Sequence, residues 1–313
     1  MFSMGGFNKI VFGGALVAAA GLATAAPTVP GFLVENLGNV AFTDKIDVAD
    51  NGNIYFGQRG PGGATAAVHP VMINTTGRNA EFPTPIGNAP IADPDAIVVD
   101  IFGDVSGTQG DVIVGGVEGI FSIATDGTVT EIYGNIKKIN NPTDFAFDAS
   151  GRLVFTDWNQ GQIRAIQPDG SIVKLARTVG RSMNLAFAAD GSFFATDDQG
   201  NINAFAPNGD RTAVIAGAWS TIFVGNGSDA WGTSLYAIDT TTGDLVRFDS
   251  TLAGETVGSG FTGTFGDAAW SNGGELFLTN SGTNVLRVGE PIPAPASLAL
   301  IGLGGLVAAR RRK

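Results

Sequence analysis

Five oxygen-bearing side chains, Asp95, Asp144, Asn184, Asp229 and Asp267, fall at or near matching places in successive copies of a repeated segment, and Asp44 is their counterpart in the first copy. Brought to one axis, such groups repel one another unless a cation or water stands between them. A hard cation suits them best, so Ca²⁺, which takes roughly six to eight oxygen ligands, is the candidate cofactor and these five residues are its candidate ligands. Asp and Asn also accept backbone N–H bonds in their own turns, and that structural role stands beside the metal site. The pattern assigns no catalytic residue.

Other constellations point to less chemistry. His69, the only histidine, lies in a Gly/Ala/Pro-rich insert from Arg59 to Pro70, where a Ser-His-Asp triad would rest on a loop. There is no cysteine, which removes disulfides, thiolate metal sites and Cys nucleophiles. Trp158, Trp219, Trp231 and Trp270 could form a sugar-binding face, but Trp231 and Trp270 align with core positions Phe147 and Phe187, where packing is the plainer role. Asp148-Ala-Ser-Gly and Asp190-Gly have turn chemistry and are too short for an EF-hand loop.

What must position these residues is the repeat. Residues 142–176 and 182–216 match nearly position for position, pairing Phe145 with Leu185, Phe147 with Phe187, Gly151 with Gly191 and Asp157 with Asp197. The period is about 40 residues, and each copy holds four short β-type runs separated by Asp-Gly, Asn-Gly or Ser-Gly turns. Weaker copies flank the strong pair and bring the count to six. This predicts an all-β fold, a six-bladed β-propeller with four-stranded blades. The last copy supplies only three strands, and "GFLVENL" at 31–37 has no blade of its own. It is expected to close the ring as the missing outer strand of the last blade.

The ends divide the chain into 1–25, 26–290 and 291–313. Lys9, the apolar stretch Ile10 to Leu22 and Ala23-Thr24-Ala25 make a secretory signal peptide, with cleavage expected before Ala26. At the other end, Pro291, Pro293 and Pro295 precede an uncharged run from Ala296 to Ala309 and then Arg310, Arg311, Arg312 and Lys313. A short apolar helix is expected there, shorter than the roughly 20 residues of a comfortable membrane span. Removing both ends would take the formal net charge from −11 to −16, and with no basic patch in view a nucleic-acid partner is excluded.

The order Pro-x-Pro-Ala-Ser, apolar run and Arg cluster resembles the PEP-CTERM sorting signal of Gram-negative bacteria, with Pro293, Pro295, Arg310, Arg311 and Arg312 as its sorting residues. That resemblance implies an exosortase-type processing enzyme as partner, transient inner-membrane association through the tail, and delivery to the cell surface or extracellular matrix. The strong copies, through Pro142-x-x-Phe-Ala-Phe-Asp148-x-x-Gly151-x-Leu-x-Phe-x-Asp157, resemble the NHL repeat and the six-bladed gluconolactonase-type propellers. In such relatives comparable positions hold a catalytic divalent ion together with a Glu of the first blade, which Glu35 lies too far upstream to match. The expectation is therefore an exported surface or matrix propeller that binds or scaffolds, with a glycan or matrix polymer as candidate partner. The alternative is a metal-dependent lactonase or esterase using the channel-mouth carboxylates.

Overall fold

The computed structural model describes residues 26–291, apart from 39–42, 59–67, 75–83, 93, 118, 135–138, 140, 264 and 281–283. The signal peptide expected at 1–25 and the tail beyond Pro291, with the helix expected there, lie outside the described residues.

Alternating apolar runs broken by turn residues become six antiparallel sheets of four strands each. After β1 (Phe32–Gly38), the first blade is β2 (Thr43–Val48), β3 (Ile54–Gln58), β4 (Val68–Asn74) and β5 (Thr84–Ala92). The second is β6 (Ala96–Val99), β7 (Val112–Gly116), β8 (Gly119–Ile123) and β9 (Val129–Tyr133). The third and fourth, from the strong repeats, are β10 (Pro142–Phe147), β11 (Leu153–Asp157), β12 (Gln162–Ile166), β13 (Ile172–Arg177), then β14 (Ser182–Phe187), β15 (Phe193–Asp197), β16 (Ile202–Phe205), β17 (Arg211–Ile215). The fifth is β18 (Trp219–Val224), β19 (Leu235–Asp239), β20 (Asp244–Phe248) and β21 (Gly254–Gly258). The sixth takes β22 (Phe265–Trp270), β23 (Leu276–Asn280) and β24 (Asn284–Pro291) and borrows β1 as its outer strand. His69 belongs to β4, opposite Ile91, and not to a loop as its surroundings suggest.

Burial follows strand order within a blade. The second strands β7 and β11 are buried at every residue, because both faces pack on neighbouring blades. The outer strands β13, β17 and β21 expose alternate or successive side chains. The hydrophobic clusters lie one to each blade interface: Phe145 and Phe155 of the third blade meet Ile113 and Ile120 of the second, and Val154 meets Leu185 and Phe193 of the fourth. Cohesion is thus distributed round the ring, each blade depending on two neighbours.

Turns fix the register. Asp148 Oδ1 accepts the N–H groups of Ser150 (2.9 Å) and Arg152 (3.0 Å), while Gly151 takes φ +78°, a region that costs a residue with Cβ. Asp190 and Gly191 (φ +84°) repeat the device one blade on. These aspartates are turn residues, as their sequence indicates.

Closure is antiparallel: Phe32 faces Pro291, Val34 faces Val288 and Glu35 faces Arg287. Arg287 joins Glu35 of β1 at 2.5 Å and also pairs with Glu275, the residue just before β23, tying the outer strands of the blade to its β22–β23 turn. Upstream, Thr28 and Ser259 exchange backbone bonds of 2.8 and 2.9 Å, and Phe32 lies 4.6 Å from Trp231, so the same segment ties down the fifth blade.

Candidate functional site

The innermost strand of each blade lines the central channel, and register picks out one equivalent position in each. It is the residue two beyond Thr43, Pro142, Ser182, Trp219 and Phe265, which face Gln58, Asp157, Asp197, Asp239 and Asn280. In the second blade the residue facing Gly115 takes this place. The position is held by Lys45, Ala96, Asp144, Asn184, Thr221 and Asp267, all buried. Asp144, Asn184 and Asp267 were expected here. The other residues assigned to the ring are displaced from it. Asp95 is buried one residue before Ala96 and accepts from Asn141 Nδ2 at 3.3 Å. Asp229 is exposed in the long connection between β18 and β19, because its Asp-Ala-Trp likeness to Asp267-Ala-Ala-Trp270 falls on a loop and not on a strand. Asp44 falls at a bulge, and the next residue takes the ring position.

That next residue changes the chemistry. Lys45 Nζ donates to Asn184 Oδ1 at 2.7 Å and lies 3.4 Å from Asp144 Oδ1. The ring therefore carries its own ammonium where a divalent ion would have to sit. A Ca²⁺ beside it would meet like charge at hydrogen-bonding range and too few oxygens. The donor set does not fit that ion. Among the described residues no group of three or more acidic or histidine side chains is arranged to hold a metal.

The carboxylates also have other work. Asp267 Oδ2 accepts the N–H of Ile46 (3.2 Å), Asp47 Oδ2 that of Val99 (2.6 Å), and Asp144 Oδ2 that of Leu185 (2.6 Å). Asn184 Nδ2 donates to the carbonyl of Ser220. Each bond crosses from one blade's inner strand to the next blade's, so these groups staple neighbours and do not serve their own turns. A hydroxyl layer continues this outside the ring: Thr143 Oγ1 meets the Ser182 carbonyl at 2.9 Å, and Thr156 Oγ1 the Met183 carbonyl at 2.8 Å.

Inside the ring is a cavity of about 310 Å³, walled by Asp47, Asp144, Asp267 and apolar side chains such as Phe145, Leu185 and Phe223. We call the end where the inner strands begin upper and the end where they finish lower. The ring residues near the upper end are buried, whereas Phe147, Phe187, Val224 and Trp270 at the lower end are partly exposed, so the channel opens below. Burial pushes Asp47 up to about 6 against the N–H bonds from Val99 and Val48, and Asp144's charge adds to the rise. Asp144 is raised by burial, with Lys45 opposing. Asp267 is raised well above the carboxylate range by burial and then by Asp144.

Sequence reasoning missed Lys45 and Asp47. A usable signal was present: counting back seven residues from the positive-φ turn glycines Gly52, Gly151, Gly191 and Gly274 gives Lys45, Asp144, Asn184 and Asp267.

Comparison with known proteins bears on the two parts of the chain separately. Residues 291–313 match the PEP-CTERM protein-sorting motif. The chain carries an exosortase-type sorting tail. The motif indicates export from a Gram-negative-type cell to the envelope or surface and implies processing by an exosortase-type enzyme. No curated protein matches the sequence. Solved structures share the propeller fold. A gluconolactonase from Xanthomonas campestris is 17% identical with a TM-score of 0.61, over 83% of this chain and 90% of that one. A luciferin-regenerating enzyme is 13% identical with a TM-score of 0.60, over 82% and 95%. A catalytically inactive virginiamycin B lyase from Staphylococcus aureus, solved with Quinupristin, is 17% identical with a TM-score of 0.54, over 84% and 90%. At these identities the likeness is one of fold.

Proposed function

We propose that this chain is an exported surface or extracellular-matrix propeller that binds or scaffolds, delivered by its sorting tail after transient inner-membrane association. The single observation that carries this reading is Lys45. With its ammonium against Asn184 and Asp144, and the ring's carboxylates bonded to neighbouring blades, the ring is furnished as a structural hub. In this reading the ammonium, and not Ca²⁺, balances the ring. A glycan or matrix polymer is the partner class we assign, recognised on the outer surface of the blades.

The second reading, a hydrolase acting on lactones or esters, draws on Asp47. A carboxyl titrating near 6 beside an open cavity is suited to proton abstraction. The two are separated by titrating the purified chain with Ca²⁺ and screening lactones and esters, alongside a glycan-array assay. Binding to an extracellular polysaccharide without turnover supports the first. Turnover abolished by Asp47→Asn would establish the second.

A further inference from the structure

The strand order of the sixth blade fixes where the tail leaves the molecule. Trp270 faces Leu276, Leu276 faces Val288, and Val288 faces Val34, so these four residues form one row across the blade. Trp270 lines the lower mouth of the channel. β24 runs on from Val288 to Pro291, opposite Phe32, and therefore ends beyond that row at the lower end.

Only Ile292, Pro293, Ala294 and Pro295 separate Pro291 from the uncharged run that begins at Ala296. Even fully extended, the five residue steps from Pro291 to Ala296 reach no more than about 18 Å. The upper end lies further away, by roughly the 20 Å that six residues of inner strand cover. We propose that, while the tail is in place, the propeller stands on a lipid bilayer with its lower end, and hence its channel mouth, facing the membrane.

The lower turns show how closely it stands. Asp126, Asp148, Asp169, Asp190 and Asp249 lie in connections at this end, and an anionic headgroup layer repels them. Ile101 and Phe102, exposed on the β6–β7 connection, are the apolar groups placed toward lipid. Tether and repulsion together hold the end near the surface without embedding it. Asp47 and the aromatic rim then open toward the bilayer until the tail is removed.

This rests on reading residues 296–313 as a membrane-associating segment, and one experiment separates the two claims. Because the chain has no cysteine, single-cysteine variants of the full-length chain can each carry one dye. Ala189→Cys and Ser250→Cys label lower turns, and Gln199→Cys and Thr241→Cys label upper turns, all at exposed positions. Each is mixed with phosphatidylcholine–phosphatidylglycerol vesicles bearing an acceptor dye on the headgroups. Co-sedimentation with about twofold greater energy transfer from the lower pair than the upper pair, as a height of roughly 20 Å of strand requires, supports the proposal. Co-sedimentation with equal transfer, or greater transfer from the upper pair, overturns the orientation alone. Failure to co-sediment overturns the reading of the tail and the proposal with it. A chain ending at Glu290 should transfer from neither pair.

Discussion

Lys45 and Asn184, 139 residues apart, meet across the channel through a 2.7 Å hydrogen bond from the Lys45 ammonium to the Asn184 amide oxygen. The first and fourth blades are thereby joined through the axis and not only round the ring. Lys45→Met keeps an unbranched side chain, one atom shorter, and removes its charge, leaving the buried Asp144 and Asp267 uncompensated. The expected cost is about 3 kcal/mol, the scale for a buried ion pair that loses one member. Differential scanning calorimetry should show Ca²⁺ raising the Tm of this variant and not of the wild type. A Ca²⁺ response of equal size in both would refute the substitution of ammonium for ion.

Asp47 gives stability a pH dependence. Its folded pKa of about 6 exceeds its ordinary 3.8, so its contribution is complete below about pH 4 and is lost as pH rises through 6. Roughly two units correspond to up to about 3 kcal/mol. Turn carboxylates act oppositely: hydrogen bonds from Ser192 lower Asp190 and those from Thr251 lower Asp249, so their contribution vanishes as pH falls below 3.8. Urea unfolding should show wild-type stability greatest near pH 4 to 5, and Asp47→Asn should flatten the decline toward pH 7.

Ring closure can be dissected by substitution. Glu35 is 41% exposed, so Glu35→Ala should cost less than about 1 kcal/mol despite its pairing with Arg287. Deleting residues 26–38 removes Phe32 and Val34 from the apolar cluster between the fifth and sixth blades and bares the edge of β24. At about 1.5–3 kcal/mol per large side chain, that loss should lower the urea midpoint sharply and promote self-association, measurable by light scattering. A truncated chain as stable as the parent would remove β1 from the closure.

Processing has a molecular signature. Mass spectrometry of the surface or secreted protein should find an N-terminus at Ala26 and a C-terminus near Pro291 to Pro295. Replacing Arg310, Arg311 and Arg312 with Ala should leave the tail-bearing form in the cell. Mature surface protein that retained Lys313 would contradict the sorting assignment.

The strand pattern was legible because each blade repeats the same apolar alternation and turn glycines, and the orphan segment at 31–37 pointed to the closure that β1 makes with β24. Three of the five ring assignments coincide with the register position. Asp229 did not, because the fifth blade inserts a ten-residue connection around the buried Trp231, so similarity of residue type ran ahead of strand position. Lys45 was hidden for a different reason. Thr43-Asp44 imitates Thr143-Asp144, and only counting from the turn glycine reveals the offset. Nor could spacing show that Asp47 would face the cavity, since its counterparts Ala146, Ala186 and Ala269 are small and neutral.

The antiparallel meeting of Phe32 with Pro291 also sets how the mature protein bears a mechanical load. The N-terminal end is held first by the Thr28–Ser259 backbone pair on the fifth blade; once that pair yields, a pull between the ends acts at the Phe32–Pro291 end and opens the β1–β24 ladder one pair of hydrogen bonds at a time. A protein attached to a surface by its C-terminal end is therefore weakest when drawn by its N-terminal end. Force delivered through a partner on the outer faces of the blades spreads instead over the interfaces between them.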